Sequence, residues 1–331
     1  MKKETFESIV KDSSKTRSIQ RKQFAENFFQ RGLSCFVKGN FTEAFRWFSM
    51  ASGFQLAEAE WMLGHLYITG NGCHKDASKA VEYLSKAANQ GVASAMYDLS
   101  SCYYFGEGVC RNMSEFARLL VSAAEGGYAP AAESLGMAYR DGEGVPKDYA
   151  KAVEWFKIAA DKGLPESMYA LSVRYELGQG VEQDDTESMQ WLAKAANAGH
   201  IVAQRRLGEA YHWGDGVPQD KSQGFYWCYE AAKQHDSEAC YCVGLNYLEG
   251  DGVAKNIDAA MFWLKKAAEQ NYTDAQLALA RLLLRKKTET GYKQAKEWLS
   301  RGAALGNSEC KHGLELLTQI QEQGISWFEH V

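Results

Sequence analysis

Six Gly-x-Gly pairs, seven histidines, eight cysteines and one run of cations are the groups in this 331-residue chain whose types could do chemistry. Gly-x-Gly cradles a phosphate when it follows a strand and opens a helix, and a phosphate loop adds Gly-Lys before Ser or Thr. Each pair here, from Gly70/Gly72 to Gly250/Gly252, follows a helical pattern, and no Gly-Lys-Ser/Thr occurs. No cofactor is therefore expected. His65, His74, His200, His212, His235, His312 and His330 show neither His-Glu-x-x-His nor a Cys/His ligand spacing, so no metal site is expected either. Cys240-Tyr-Cys242 turns its thiols about 200° apart on a helix, too far round to share a ligand easily. Cys228, on the preceding helix, leaves a disulfide or thiol pair open. Arg281, Arg285, Lys286 and Lys287 read more simply as cations at a helix C-terminus than as an anion site. No Ser/His/Asp set or carboxylate pair recurs with any regularity, so no catalytic residue is expected and the chain reads as non-enzymatic.

The elements that carry these residues follow from a repeated phrase. Tyr67, Tyr103, Tyr139, Tyr175, Tyr211 and Tyr247 recur every 36 residues, each three residues before a Gly-x-Gly pair. A fixed period of this length marks a solenoid of one supersecondary unit. Within one copy, Ala131, Leu135 and Tyr139 stand four apart and stack on one face of a first helix. A small residue recurs beside that face (Gly64, Ser100, Gly136, Ser172, Gly208, Gly244, Ala280), which implies a close helix approach. Gly142-Glu143-Gly144 ends the helix, because glycine takes the left-handed conformation at such an end. Val145 plugs the turn, and Asp148 caps the next helix. Asp76, Asn112, Asp184, Asp220 and Asn256 hold the same register, with capping boxes expected for Asn112/Glu115 and Asp184/Glu187. Ala152, Trp155, Phe156, Ala159 and Ala160 form the buried stripe of the second helix, with Trp191, Trp227 and Trp263 as later counterparts of Trp155.

Bulk composition narrows the partner. A net charge of -5 argues against nucleic acid, which calls for a basic face. No apolar run approaches the ~18 residues of a membrane span. Charges interrupt the N-terminus before a signal-peptide core forms. Cys35, Cys73, Cys102, Cys110, Cys228, Cys240, Cys242 and Cys310 fall at no repeated register and read as reduced fillers. A cytoplasmic, bacterial protein is expected.

The full phrase is Ala-x-x-x-Leu-Gly-x-x-Tyr-x-x-Gly-x-Gly-Val-x-x-Asp-x-x-x-Ala-x-x-Trp-(Phe/Leu)-x-x-Ala-Ala-x-x-Gly. It resembles the Sel1-like repeat, a relative of the tetratricopeptide repeat. The resemblance implies an all-α fold, an α/α right-handed superhelical solenoid of antiparallel helix pairs with first helices on a concave face. The expected organisation is an N-terminal segment at 1–22 and a pair closer to a plain tetratricopeptide unit at 23–54. Seven Sel1-like repeats follow at 55–91, 92–127, 128–163, 164–199, 200–235, 236–271 and 272–306, then a capping helix and tail at 307–331. The resemblance also implies an adaptor role. Some relatives pair cysteines within each repeat and have been linked to β-lactam chemistry; that pairing is absent here.

Function must then lie in what varies between copies. On the first helices, the positions facing away from the buried Ala, Leu and Tyr are those equivalent to 61, 65 and 68. They supply Trp61, Tyr97, Tyr104, Arg140, Tyr169, Glu176, Arg205, His212 and Tyr241, with Phe105 and Trp213 one residue on. Aromatics and arginine carry most interface energy, so these eleven are the expected partner-binding residues, although helical aromatics also pack between neighbouring repeats. The expected partner is a protein or peptide, without nucleic acid or a membrane span, held by a monomer. The principal reading is a scaffold or adaptor. A dedicated inhibitor, such as an immunity protein neutralising a toxin, is the alternative, and a weak hydrolase of a β-lactam-like substrate a second one. The Ile325-Ser326-Trp327-Phe328 tail is expected to seal the last helix or to serve as a docking peptide.

Overall fold

A computed structural model describes residues 2–322, with side chains described for 19–319; the expectation for the tail at 324–331 lies outside them. All regular structure among the described residues is α-helical. Two compact units are present, residues 1–164 with 179–181, and residues 165–178 with 182–331. In the first, α1 (Lys2–Val37), α2 (Phe41–Ser52), α3 (Ala57–Thr69), α4 (Ala77–Asn89), α5 (Ala93–Phe105), α6 (Met113–Glu125), α7 (Ala129–Asp141) and α8 (Tyr149–Asp161) form successive antiparallel pairs. The second contains α9 (Pro165–Leu177), α10 (Asp185–Asn197), α11 (Ile201–Trp213), α12 (Lys221–Lys233), α13 (Ser237–Glu249), α14 (Ile257–Glu269), α15 (Thr273–Arg285), α16 (Glu289–Ala304) and α17 (Ser308–Glu322). Residues 2–22 continue directly into the opening pair as one helix, since neither Gly nor Pro interrupts the chain before Gly32.

The repeat phrase builds each pair as its spacing implies. Ala131 and Leu135 are fully buried and join Phe116, Leu120 and Ala123 of α6 and Ala159 of α8 in one core. Burying each such Leu or Phe contributes roughly 1.5–3 kcal/mol. At Gly136 a Cβ would stand 2.7 Å from the Phe156 ring, so the small residue is what lets α8 lie this close to α7.

Two loop features go beyond the sequence reading. The second glycine of the pair does more than turn the chain. A Cβ on Gly108 would overlap the Ala77 carbonyl at the start of α4, and Gly72, Gly180 and Gly252 abut backbone in the same way. Each loop thus seats on the preceding second helix. The cap residue's own N–H then donates to the carbonyl of the repeat tyrosine, as in Asp76 to Tyr67 at 3.0 Å, Asn112 to Tyr103 at 3.0 Å and Asp184 to Tyr175 at 3.1 Å. That bond displaces the expected capping boxes. Asn112 and Asp184 do accept from the N–H groups of their first turns, but their own N–H groups are taken. Glu115 turns instead to Arg118, at 2.8 Å.

At α17 the register position held elsewhere by Gly, Ser or Ala carries Glu315, which is exposed.

Candidate protein-binding face

First helices of successive repeats lie side by side, and their varied positions meet across the seam. In the first compact unit, Trp61 Nε1 donates to Asp98 Oδ2 at 2.7 Å. Burial lifts the Asp98 carboxyl above its ordinary range, opposed by the Trp61 hydrogen bond and by His65. Tyr97 packs on Tyr128 with ring centres 5.4 Å apart, and its hydroxyl lies 3.4 Å from Ser134 Oγ. In the second unit Tyr169 stacks on His200 at 4.4 Å, and Tyr241 packs on Tyr272 at 5.2 Å. Arg205 faces Glu209 at 3.1 Å, Glu238 at 2.9 Å and Asp236 at 3.5 Å. Burial works against its charge, and these carboxylates outweigh that, so its pKa is raised. Trp61, Tyr97, Tyr169, Arg205 and Tyr241 are therefore half-buried seam residues.

The remaining positions are more open. Arg140 forms a two-pronged pair with Asp141 at 2.9 and 2.7 Å. Glu176 accepts from Arg206 at 2.8 Å, a bond that raises the arginine's pKa. Tyr104 donates to Glu143 at 3.0 Å, which holds its phenol above the usual range, and Arg111 lies over its ring. Phe105 meets that ring edge-on at 4.9 Å and is 70% exposed. The second unit repeats the device: His212 and Trp213 meet edge-on at 4.5 Å, and Trp213 is 75% exposed. Asp251 lies 3.7 Å from His212 and 2.9 Å from Lys221. Leu177 holds the same register and is 54% exposed. It is absent from the sequence-derived set, although its position one residue after Glu176 matches those of Phe105 and Trp213.

This is a surface of rings and paired charges. Among the described residues no group of three His, Cys, Asp or Glu could hold a metal ion. The eight cysteines are unpaired. Burial pushes the Cys240 thiol up to about 11 and Cys242 up to about 12, and raises Cys228 as well, so these thiols stay protonated. Trp263 is buried, while Trp155, Trp191 and Trp227 are half-buried.

The Sel1 repeat model matches eight consecutive segments, 25–52, 57–92, 93–128, 129–164, 165–200, 201–236, 237–272 and 273–307. The chain belongs to the Sel1 repeat family. The opening pair, closer on sequence to a plain tetratricopeptide unit, is itself matched as a Sel1 repeat. Similar solved structures include a protective antigen present in uropathogenic Escherichia coli strains that displays an SLR fold. It is 33% identical over 90% of this chain and 66% of that chain, with a TM-score of 0.76. This chain thus spans about two thirds of that antigen's length. A Sel1 repeat protein from Oxalobacter formigenes is 28% identical over 73% of this chain and 99% of that chain, with a TM-score of 0.67. An immunity protein from Pseudomonas aeruginosa is 24% identical over 64% of this chain and 81% of that chain, with a TM-score of 0.38. No curated protein matches the chain significantly. No described helix of this Sel1 repeat protein is long and apolar enough to cross a membrane.

Proposed function

We propose that this Sel1 repeat chain is a non-enzymatic protein that binds another protein along the first-helix faces of its repeats. The supporting observation is the pair of exposed aromatic corners, Tyr104–Phe105 and His212–Trp213. Phe105 and Trp213 are 70% and 75% exposed, so the repeat's own core does not require them. Each corner is flanked by charge, Arg111 and Glu143 in one case and Asp251 and Lys221 in the other. Rigid rings within a polar rim are the usual make-up of an interface centre.

Within that reading, a dedicated inhibitor of a single effector fits better than a general adaptor. The equivalent first-helix position reads Trp61, Tyr97, Glu133 in the first unit and Tyr169, Arg205, Tyr241 in the second, so within each unit the face changes in shape or charge from repeat to repeat. A non-repeating surface is complementary to one irregular partner, and a preformed scaffold holds it at low entropic cost. We place the protein in the cytoplasm, where its thiols would stay reduced; cell fractionation tests this, and recovery outside the cytoplasm overturns it. The binding test is affinity capture with wild type and with Tyr104→Ala/His212→Ala/Trp213→Ala. A folded triple variant is expected to lose one dominant partner at least tenfold, since each anchor contributes more than about 1 kcal/mol. Undiminished capture of the same partner would overturn the reading.

A further inference from the structure

The seam is filled in every repeat of the second compact unit but the last. Tyr169 reaches His200, Arg205 reaches Asp236, and Tyr241 reaches Tyr272. On α15 the equivalent residue is Leu277, which is too short to cross. The residue it would meet is Asn307, whose amide is turned to Thr273 at 3.2 Å and Asp274 at 3.3 Å. On α17 Gly313 adds no side chain. The result is an open cleft of about 540 Å³ between α15 and α17, with Leu277, Leu284, Leu299, Leu316 and Leu317 in its walls. A second cleft of about 450 Å³ lies on the other side of α15, lined by Tyr241, Leu245, Leu248 and Leu282. Leu277, Arg281 and Glu309 belong to both.

The rim carries an uneven charge. Arg281 pairs with Glu309 at 2.9 Å, both well exposed, and Asp274 is engaged by Asn307. Arg285 lines the second cleft one turn beyond Arg281, and Lys286 and Lys287 follow it. These three cations are exposed and have no carboxylate partner among the described residues. Exposed arginines beside an apolar hollow favour a carboxylate next to a bulky side chain, because the ion pair and the burial are then made together.

We propose that the α15–α17 cleft is a docking pocket for a partner segment that inserts a Trp, Phe or Leu side chain and sets an adjacent Asp or Glu against Arg281, on the rim shared by both clefts, with Arg285 one turn further along α15. This rests on the protein-binding reading above, and adds the place and the chemistry of one anchor.

A random peptide library displayed on phage, selected on the full chain, tests it. Enrichment of sequences with an aromatic or leucine next to an acidic residue is expected. Leu277→Tyr installs the residue that fills the seam at 97, 169 and 241, so it should keep the fold and weaken the enriched peptide at least tenfold. Arg281→Glu/Arg285→Glu, two exposed sites, should weaken it to a similar degree with unchanged circular dichroism. The proposal is overturned if nothing is enriched, if the winners lack an acidic residue, or if both variants bind as wild type does. Residues 327–329, Trp-Phe-Glu, have the same chemistry. Enrichment that appears only on Trp327→Ala/Phe328→Ala would assign the cleft to the chain's own tail and overturn an external occupant. The peptide should still bind the Tyr104/His212/Trp213 variant, so failure of the cleft and failure of the wider face are separable.

Discussion

Asp98 shows how one residue can be specified by a neighbour 37 positions away. Its carboxylate satisfies the Trp61 indole, yet burial makes the charge costly and raises its pKa. A raised carboxyl pKa means that the folded chain holds the proton more tightly than the unfolded one. The associated stability is fully present below the unfolded value near 3.8 and is lost as pH rises through the folded value. Asp98→Asn keeps an acceptor for Trp61 without the charge. It should match or exceed wild-type stability at pH 7, and the difference should shrink as the pH falls through the folded value. Asp98→Ala leaves the indole without its acceptor and should cost about 1–3 kcal/mol. Urea titrations across pH 3–8 check both. An Asn variant markedly weaker than wild type at pH 7 would contradict the burial argument.

At the scale of helices and loops, most of the phrase was legible because its physics is local. Ala131 and Leu135 face the core, Gly142 takes the left-handed conformation, and Asp148 caps α8, all within a few residues of chain. What escaped reading is what one repeat does to the next. Nothing local marks the second glycine as a contact with another repeat's backbone, or shows that the cap's N–H is already committed to the tyrosine carbonyl. Gly108 and Gly127 separate these effects, because both have positive φ, 73° and 82°. A Cβ at Gly127 meets nothing within 4 Å, whereas one at Gly108 strikes the Ala77 carbonyl. Gly127→Ala should therefore cost only backbone strain, on the order of 1 kcal/mol. Gly108→Ala should cost a further ~1–3 kcal/mol for overpacking against an atom that cannot turn away. Equal midpoints in guanidinium chloride for the two variants would show that the contact contributes nothing.

The molecule as a whole divides what a single sequence reveals from what it hides. Periodicity exposes the architecture, since every repeat restates the same packing rule and seven or eight copies leave little ambiguity. A binding face is the part that does not repeat. Trp61, Tyr97, Tyr169, Arg205 and Tyr241 share a register, but only their partners across the seam reveal how little of each is free, and those partners stand 31 to 37 residues away. The same construction has a thermodynamic consequence. In a chain of repeats each packs against its neighbours, so stability is approximately a sum of repeat and nearest-neighbour contributions. Leu135 sits fully buried in the core shared by α6, α7 and α8, and Leu135→Ala should cost roughly 2–5 kcal/mol there. Native-state hydrogen exchange should show lost protection in α5 to α8, while α13 to α16, whose core is built on Val243, Leu264 and Leu279, keep theirs. An equal loss in both regions would mean that the chain opens as one cooperative body and that the nearest-neighbour picture fails for it.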